Sequence, residues 1–94
     1  MENPIRQGDI VIVKTGRDKG KYFLVIKTEN NVAYIVNGKD RKVQNPKKKN
    51  IKHIKKVLTA SLKDLAEKIQ SGQPTANTKI YLAIRTETQK LQED

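Results

Sequence analysis

The residues of this chain able to do chemistry are few, and most of them are cations. His53 is the only histidine and there is no cysteine. A general base here would lack an orienting partner, and a metal site would have to be completed by carboxylates and water. A thiolate nucleophile, a thiolate metal site and a disulfide are all excluded. Asp9 and Asp18 invite a paired-carboxylate reading, yet both fall in glycine-punctuated segments where aspartate serves turn geometry. The Gly16 to Lys21 stretch lacks the spacing of a phosphate-cradling Walker loop. The expectation is a protein that is not an enzyme and holds neither metal nor cofactor. What remains is a set of basic side chains. Lys39, Arg41, Lys42, Lys47, Lys48, Lys49, Lys52, Lys55 and Lys56 are interrupted by one acid, Asp40. Like charges this dense repel, and phosphates relieve the repulsion while releasing counterions. With Arg17, Lys19, Gly20 and Lys21 in an earlier turn, and His53 beside Lys52, they form the candidate RNA-binding set.

Those side chains need elements to carry them. Gly16-Arg17-Asp18-Lys19-Gly20-Lys21 lies between the apolar runs Ile10 to Val13 and Tyr22 to Ile26. That is the punctuation of a hairpin, because glycine reaches positive φ without steric cost and Asp18 can bond the backbone of the turn. Glu29-Asn30-Asn31 joins the second strand to a third, Val32 to Val36. Asn37-Gly38 is a further turn dipeptide, predicting a fourth strand near residues 40 to 44, a basic loop around Pro46 that includes Lys47 to Lys49, and a fifth strand over Ile51 to Val57. The first two strands are apolar on both faces: every residue from Ile10 to Val13 is apolar, and in the second strand Phe23 and Val25 fall on one side and Tyr22, Leu24 and Ile26 on the other. A second layer must cover the outer face.

Gly8-Asp9-Ile10-Val11-Ile12-Val13, the basic turn, Val25 and Tyr34-Ile35-Val36-Asn37-Gly38 together resemble the KOW motif of several ribosomal proteins and NusG-type transcription factors. Gly20 falls where that motif keeps its glycine. Val36-Asn37-Gly38 and the basic Lys47-Lys48-Lys49-Asn50-Ile51-Lys52-His53-Ile54 look closer still to the eukaryote-type fourteen family of large-subunit ribosomal proteins. The resemblance spans about residues 6 to 58. It implies a mainly β domain, an SH3-like five-stranded barrel, that binds RNA.

Composition changes after that segment. Residues 1 to 58 hold fifteen Lys and Arg against five Asp and Glu, and residues 59 to 94 hold five against five, so the whole net charge of +10 belongs to the first part. The expected organisation is a barrel over 1–58 and a helical extension over 59–94 packed on it. Ser61-Leu62-Lys63-Asp64 resembles a capping box, followed by Leu62, Leu65, Ala66 and Ile69 at helical spacing and closed by Gly72 and Pro74. Thr75, Asn77 or Thr78 would cap a second helix carrying Ile80, Ile84 and Leu91. A strand competes over 78–92, because Lys79 to Ile84 also alternates.

Tyr22, Phe23, Tyr34 and Tyr81 are the only aromatics. With Phe23 assigned to the core, Tyr22 and Tyr34 are the base-stacking candidates. The balance favours binding of folded RNA through phosphate and shape, with ribosomal RNA, the ribosome or the transcription machinery as expected partners. The competing expectation is an adaptor of the transcription or translation machinery, docking proteins through the edge of the barrel and the helix residues Leu62, Leu65 and Ile69. Met1-Glu2-Asn3-Pro4 does not open a signal peptide and no stretch approaches the roughly 20 apolar residues of a transmembrane helix. A cytoplasmic location without membrane contact is expected.

Overall fold

The computed structural model describes residues 4 to 92; residues 1 to 3 of the expected polar lead-in and the last two positions of the tail lie outside the described residues. Five strands, β1 (Ile10–Val13), β2 (Tyr22–Glu29), β3 (Val32–Val36), β4 (Lys47–Asn50) and β5 (Ile54–Leu58), are followed by helices α1 (Lys63–Gln70) and α2 (Asn77–Gln89). The strands form one antiparallel sheet in the order β4-β3-β2-β1-β5. The meander β1-β2-β3 follows the apolar runs, and Asn30 takes φ +56° in the turn between β2 and β3, the left-handed conformation that asparagine tolerates.

Both sheet faces are buried. Val11, Val13, Phe23, Val25, Ala33, Ile35 and Ile54 pack together on one face, with Ile5 and Ile51 at its edge. Ile10, Leu24, Ile26 and Val36 point the other way and meet Leu65, Ala66 and Ile69 of α1 and Ile80 and Ile84 of α2. The helices are the second layer that the doubly apolar strands require. No helix among the described residues is long and apolar enough to cross a membrane.

Several elements differ from the sequence expectation. Residues 40 to 44 are not a strand, because Asn37 Oδ1 accepts from three successive amides, those of Lys39, Asp40 and Arg41 (3.0, 2.9 and 2.9 Å). That closes a turn and withdraws these donors from any ladder. The fourth strand is instead Lys47–Asn50, so Lys47, Lys48 and Lys49 lie on an edge strand and not in a loop. The expected fifth strand begins late, since Ile51–His53 forms a single 3₁₀ turn capped by Asn50, whose side chain accepts from Lys52 N–H.

At the start of α1 the Ser61 hydroxyl makes no capping bond and is buried without a partner. The chain is anchored there by other means: Leu62 N–H donates to the Gly8 carbonyl (3.1 Å) and Ala60 N–H to Asp9 Oδ1 (2.7 Å). Over 78–92 the helix prevails over the strand. None of Thr75, Asn77 and Thr78 caps it, the N-cap being Ala76 with no side-chain bond. Its buried stripe is Ile80, Ile84 and Thr88, while Leu91, in a terminal 3₁₀ turn, is 46% exposed. Asn77 ties the helix start to the chain before β4, accepting from Val43 N–H (2.8 Å) and donating to Gln44 Oε1 (2.9 Å).

Candidate functional site

The β1–β2 turn is built by its backbone. Gly20 N–H donates to Val13 O (2.8 Å), Val13 N–H to Lys21 O (3.1 Å) and Lys19 N–H to Gly16 O (3.2 Å). Gly16 and Gly20 hold φ +85° and +87°. A Cβ on Gly20 would meet nothing within 4 Å, so a substitution there carries backbone strain alone. Gly20→Val should lower stability by about 1 to 2 kcal/mol. A thermal melt unchanged from the wild type would remove strain as the reason for glycine.

Asp18 is the buried centre of this region, at 5% exposure. Lys47 Nζ donates to its Oδ2 (3.1 Å), Lys21 Nζ lies 3.7 Å from Oδ1 and Arg41 Nε 3.9 Å from Oδ2. Three separate segments, the β1–β2 turn, the β3–β4 connection and β4, thus send one cation each to a single carboxylate. Burial would raise the Asp18 carboxyl, but the Lys47 hydrogen bond and the charges of Lys47, Lys21 and Arg41 outweigh it and hold the group below the ordinary carboxylate range. Asp40 is lowered too, by hydrogen bonds from Asn37 and Lys21 and the nearby charges of Lys21 and Lys39. Lys21 joins the two acids, its Nζ 3.2 Å from Asp40 Oδ1.

The expected RNA-binding residues therefore divide. Lys21, Arg41 and Lys47 converge on Asp18. Lys49 reaches from β4 to the Thr15 carbonyl (3.2 Å), beside the same turn. Arg17, Lys19 and Lys42 are exposed and form no ion pair among the described residues. Lys48 projects from the opposite side of β4, its ammonium 5.6 Å from the centre of the Tyr34 ring, which Lys27 also approaches at 4.6 Å. Tyr34 is thus already engaged by cations. Lys39 stands apart, 5.8 Å from the ring centre of Tyr81. Lys52 and half-buried His53 sit at the 3₁₀ turn, where Lys52, Lys14 and Lys55 edge a separate concavity of about 720 Å³.

Three features were missed from sequence. Asp18 is more than a turn former, although a lone acid between Arg17 and Lys19 was a signal that it gathers charge. Asp9 is likewise a structural tie: 1% exposed, it accepts from Arg6 N–H (2.8 Å) and lies 3.2 Å from Lys56 Nζ. Tyr81 and Arg85 of α2 line a cleft with Lys39, and nothing in the sequence marks them, because the cleft exists only where the helix docks. Among the described residues no group of three or more His, Asp or Glu side chains could hold a metal ion. Comparison with profiles of known protein families gives no match, and comparison with curated proteins gives none either.

Proposed function

We propose that this chain is a noncatalytic, cytoplasmic RNA-binding protein that acts on the ribosome or its RNA and grips structured RNA by its phosphates. The observation that carries the reading is the convergence of Lys21, Arg41 and Lys47 on Asp18, with Arg17 and Lys19 exposed on either side of Asp18 in the chain and Lys42 exposed next to Arg41. A buried anion fixes the inner cations, while the outer ones have no internal partner among the described residues and lie open to phosphate oxygens. Phosphate contacts of this kind position a protein on RNA without reading its sequence.

The resemblance to KOW proteins supports the same conclusion, and so does the connection between β4 and β5. These strands are opposite edges of the sheet, which if flat would stand about 19 Å apart. Only Ile51–His53 lies between them, and four residue steps reach at most about 14 Å even when fully extended. The sheet must curl, as an SH3-like barrel does. Two of the side chains an adaptor would use, Leu65 and Ile69, are buried against the sheet at 9% and 8% exposure, which favours the RNA reading over docking through that helix face.

The test uses cations whose removal leaves the fold alone. Lys47 and Lys49 are unsuitable, being half-buried and bonded to Asp18 and Thr15. Arg17→Gln/Lys19→Gln/Lys42→Gln should keep the wild-type melting temperature. The slope of log K against log salt for RNA should flatten by roughly 0.7 to 0.9 for each phosphate no longer neutralised, for many RNA sequences alike. Cosedimentation with ribosomes should fall in parallel. A triple variant that binds RNA with an unaltered slope would overturn the placement of phosphates here.

A further inference from the structure

The cleft between the Asn37–Arg41 turn and α2 has a make-up unlike the rest of the basic surface. Its volume is about 330 Å³, at the small end of the roughly 300 to 1,000 Å³ of ligand pockets. Buried Ile84 lies at its base, half-buried Tyr22 and Tyr81 form walls, and Lys39 and Arg85 stand exposed at the rim. Arg85 is one helical turn beyond Tyr81, so both project from one side of α2. Neither Lys39 nor Arg85 forms an ion pair among the described residues. The rim's one acid, Asp40, is taken up by Lys21 and by the Asn37 amide (3.0 Å).

The walls are also held in place. Gly38 has φ +77°, and a Cβ there would run into the Asn77 carbonyl and come within 3.0 Å of Tyr81 N. The turn and the helix therefore meet at backbone contact, which fixes where Tyr81 stands. Lys21 belongs both to this cleft and to the Asp18 cluster, so the two sites adjoin.

An apolar floor, an aromatic wall and cations free of ion pairs at the mouth match the parts of one nucleotide. Its base needs a π-face and exclusion from water, and its phosphate needs fixed positive charge. The Lys39 ammonium, 5.8 Å from the Tyr81 ring centre, has to move onto the phosphate to leave that ring to a base. We propose that this cleft takes a single unpaired nucleotide of the bound RNA, the base against Tyr81 and the phosphate at Lys39 and Arg85. The inference rests on the RNA-binding reading and adds to it a preference for RNA interrupted by an extruded base over uninterrupted duplex.

The experiment compares two RNA hairpins, one with a fully paired stem and one with a single bulged adenosine, by fluorescence anisotropy against the full chain. The bulged hairpin should bind about tenfold more tightly, the scale of one base stacked on an aromatic ring. Tyr81→Ala should erase that difference while leaving the paired hairpin unaffected, and Tyr81→Phe should keep it. Lys39→Gln/Arg85→Gln, which leaves the core untouched, should weaken the bulged hairpin more than the paired one. Equal wild-type affinities, or equal weakening of both hairpins by Tyr81→Ala, would overturn the nucleotide site while RNA binding stands. Binding of neither hairpin would overturn the RNA-binding reading and this site with it. Adenosine monophosphate, titrated by NMR, separates the remaining case: tight binding of the free nucleotide without discrimination between hairpins would mark a small-molecule site and sink the proposal.

Discussion

Ending the chain at Leu58 should yield a product that aggregates or fails to fold cooperatively. Ile10, Leu24 and Val36 are fully buried and Ile26 is 5% exposed, and all four pack against Leu65, Ala66, Ile69, Ile80 and Ile84. Without the helices those four side chains face water. At about 1.5 to 3 kcal/mol for each buried aliphatic side chain, the loss is about 6 to 12 kcal/mol, comparable with the whole stability of a small domain. Relief from ordering the tail offsets part of this, but the exposed patch remains, and contiguous apolar patches drive association. Size-exclusion chromatography and thermal melts of residues 1 to 58 beside the full chain provide the measurement. A monomeric fragment with the full-length melting temperature would make the helices an independent module and revive the adaptor reading.

This dependence was readable in advance, since strands apolar on both sides cannot stand alone, and the i, i+3, i+4, i+7 run Leu62, Leu65, Ala66, Ile69 announced the element that covers them. The first three strands and the glycine turn were equally legible, because their apolar runs and Gly16 and Gly20 act locally. The edge was not. Lys47-Lys48-Lys49-Asn50 has no hydrophobic period, and it is a strand only because its backbone pairs with β3. The expected strand over 40–44 failed because a single side-chain oxygen, that of Asn37, captured the amides a ladder would need. At the candidate site the cations were visible as a density of lysine and arginine. Their sorting into inner residues held by Asp18, outer exposed residues, and the Lys39 group facing α2 depends on contacts between segments far apart in the chain, 29 residues for Lys47 and Asp18 and 42 (81 − 39) for Lys39 and Tyr81.

Asp18→Asn should show what that sorting is worth. The substitution keeps shape and removes the charge that faces Lys47, Lys21 and Arg41. A hydrogen bond between charged groups contributes roughly 1.5 to 3 kcal/mol. Because Lys47 keeps 22% of its side chain in water and Lys21 45%, the loss at neutral pH should be about 1 to 2 kcal/mol, since partial solvation screens the pairs. The sign with pH follows from the direction of the shift. The Asp18 carboxyl titrates below its ordinary value of 3.8 in the folded protein, so its stabilisation is present above that value and is lost as pH falls through the lower folded one. Asp40 acts in the same direction. The gap in stability between wild type and Asp18→Asn should therefore be constant from neutral pH to about 5 and close below about 4. RNA binding should persist with an undiminished salt slope, because every cation remains. A gap that stays open in acid would mean that the variant is damaged by packing and not by the missing charge. A salt slope that flattens in Asp18→Asn would mean that the buried carboxylate is needed to hold Lys21, Arg41 and Lys47 where phosphates meet them.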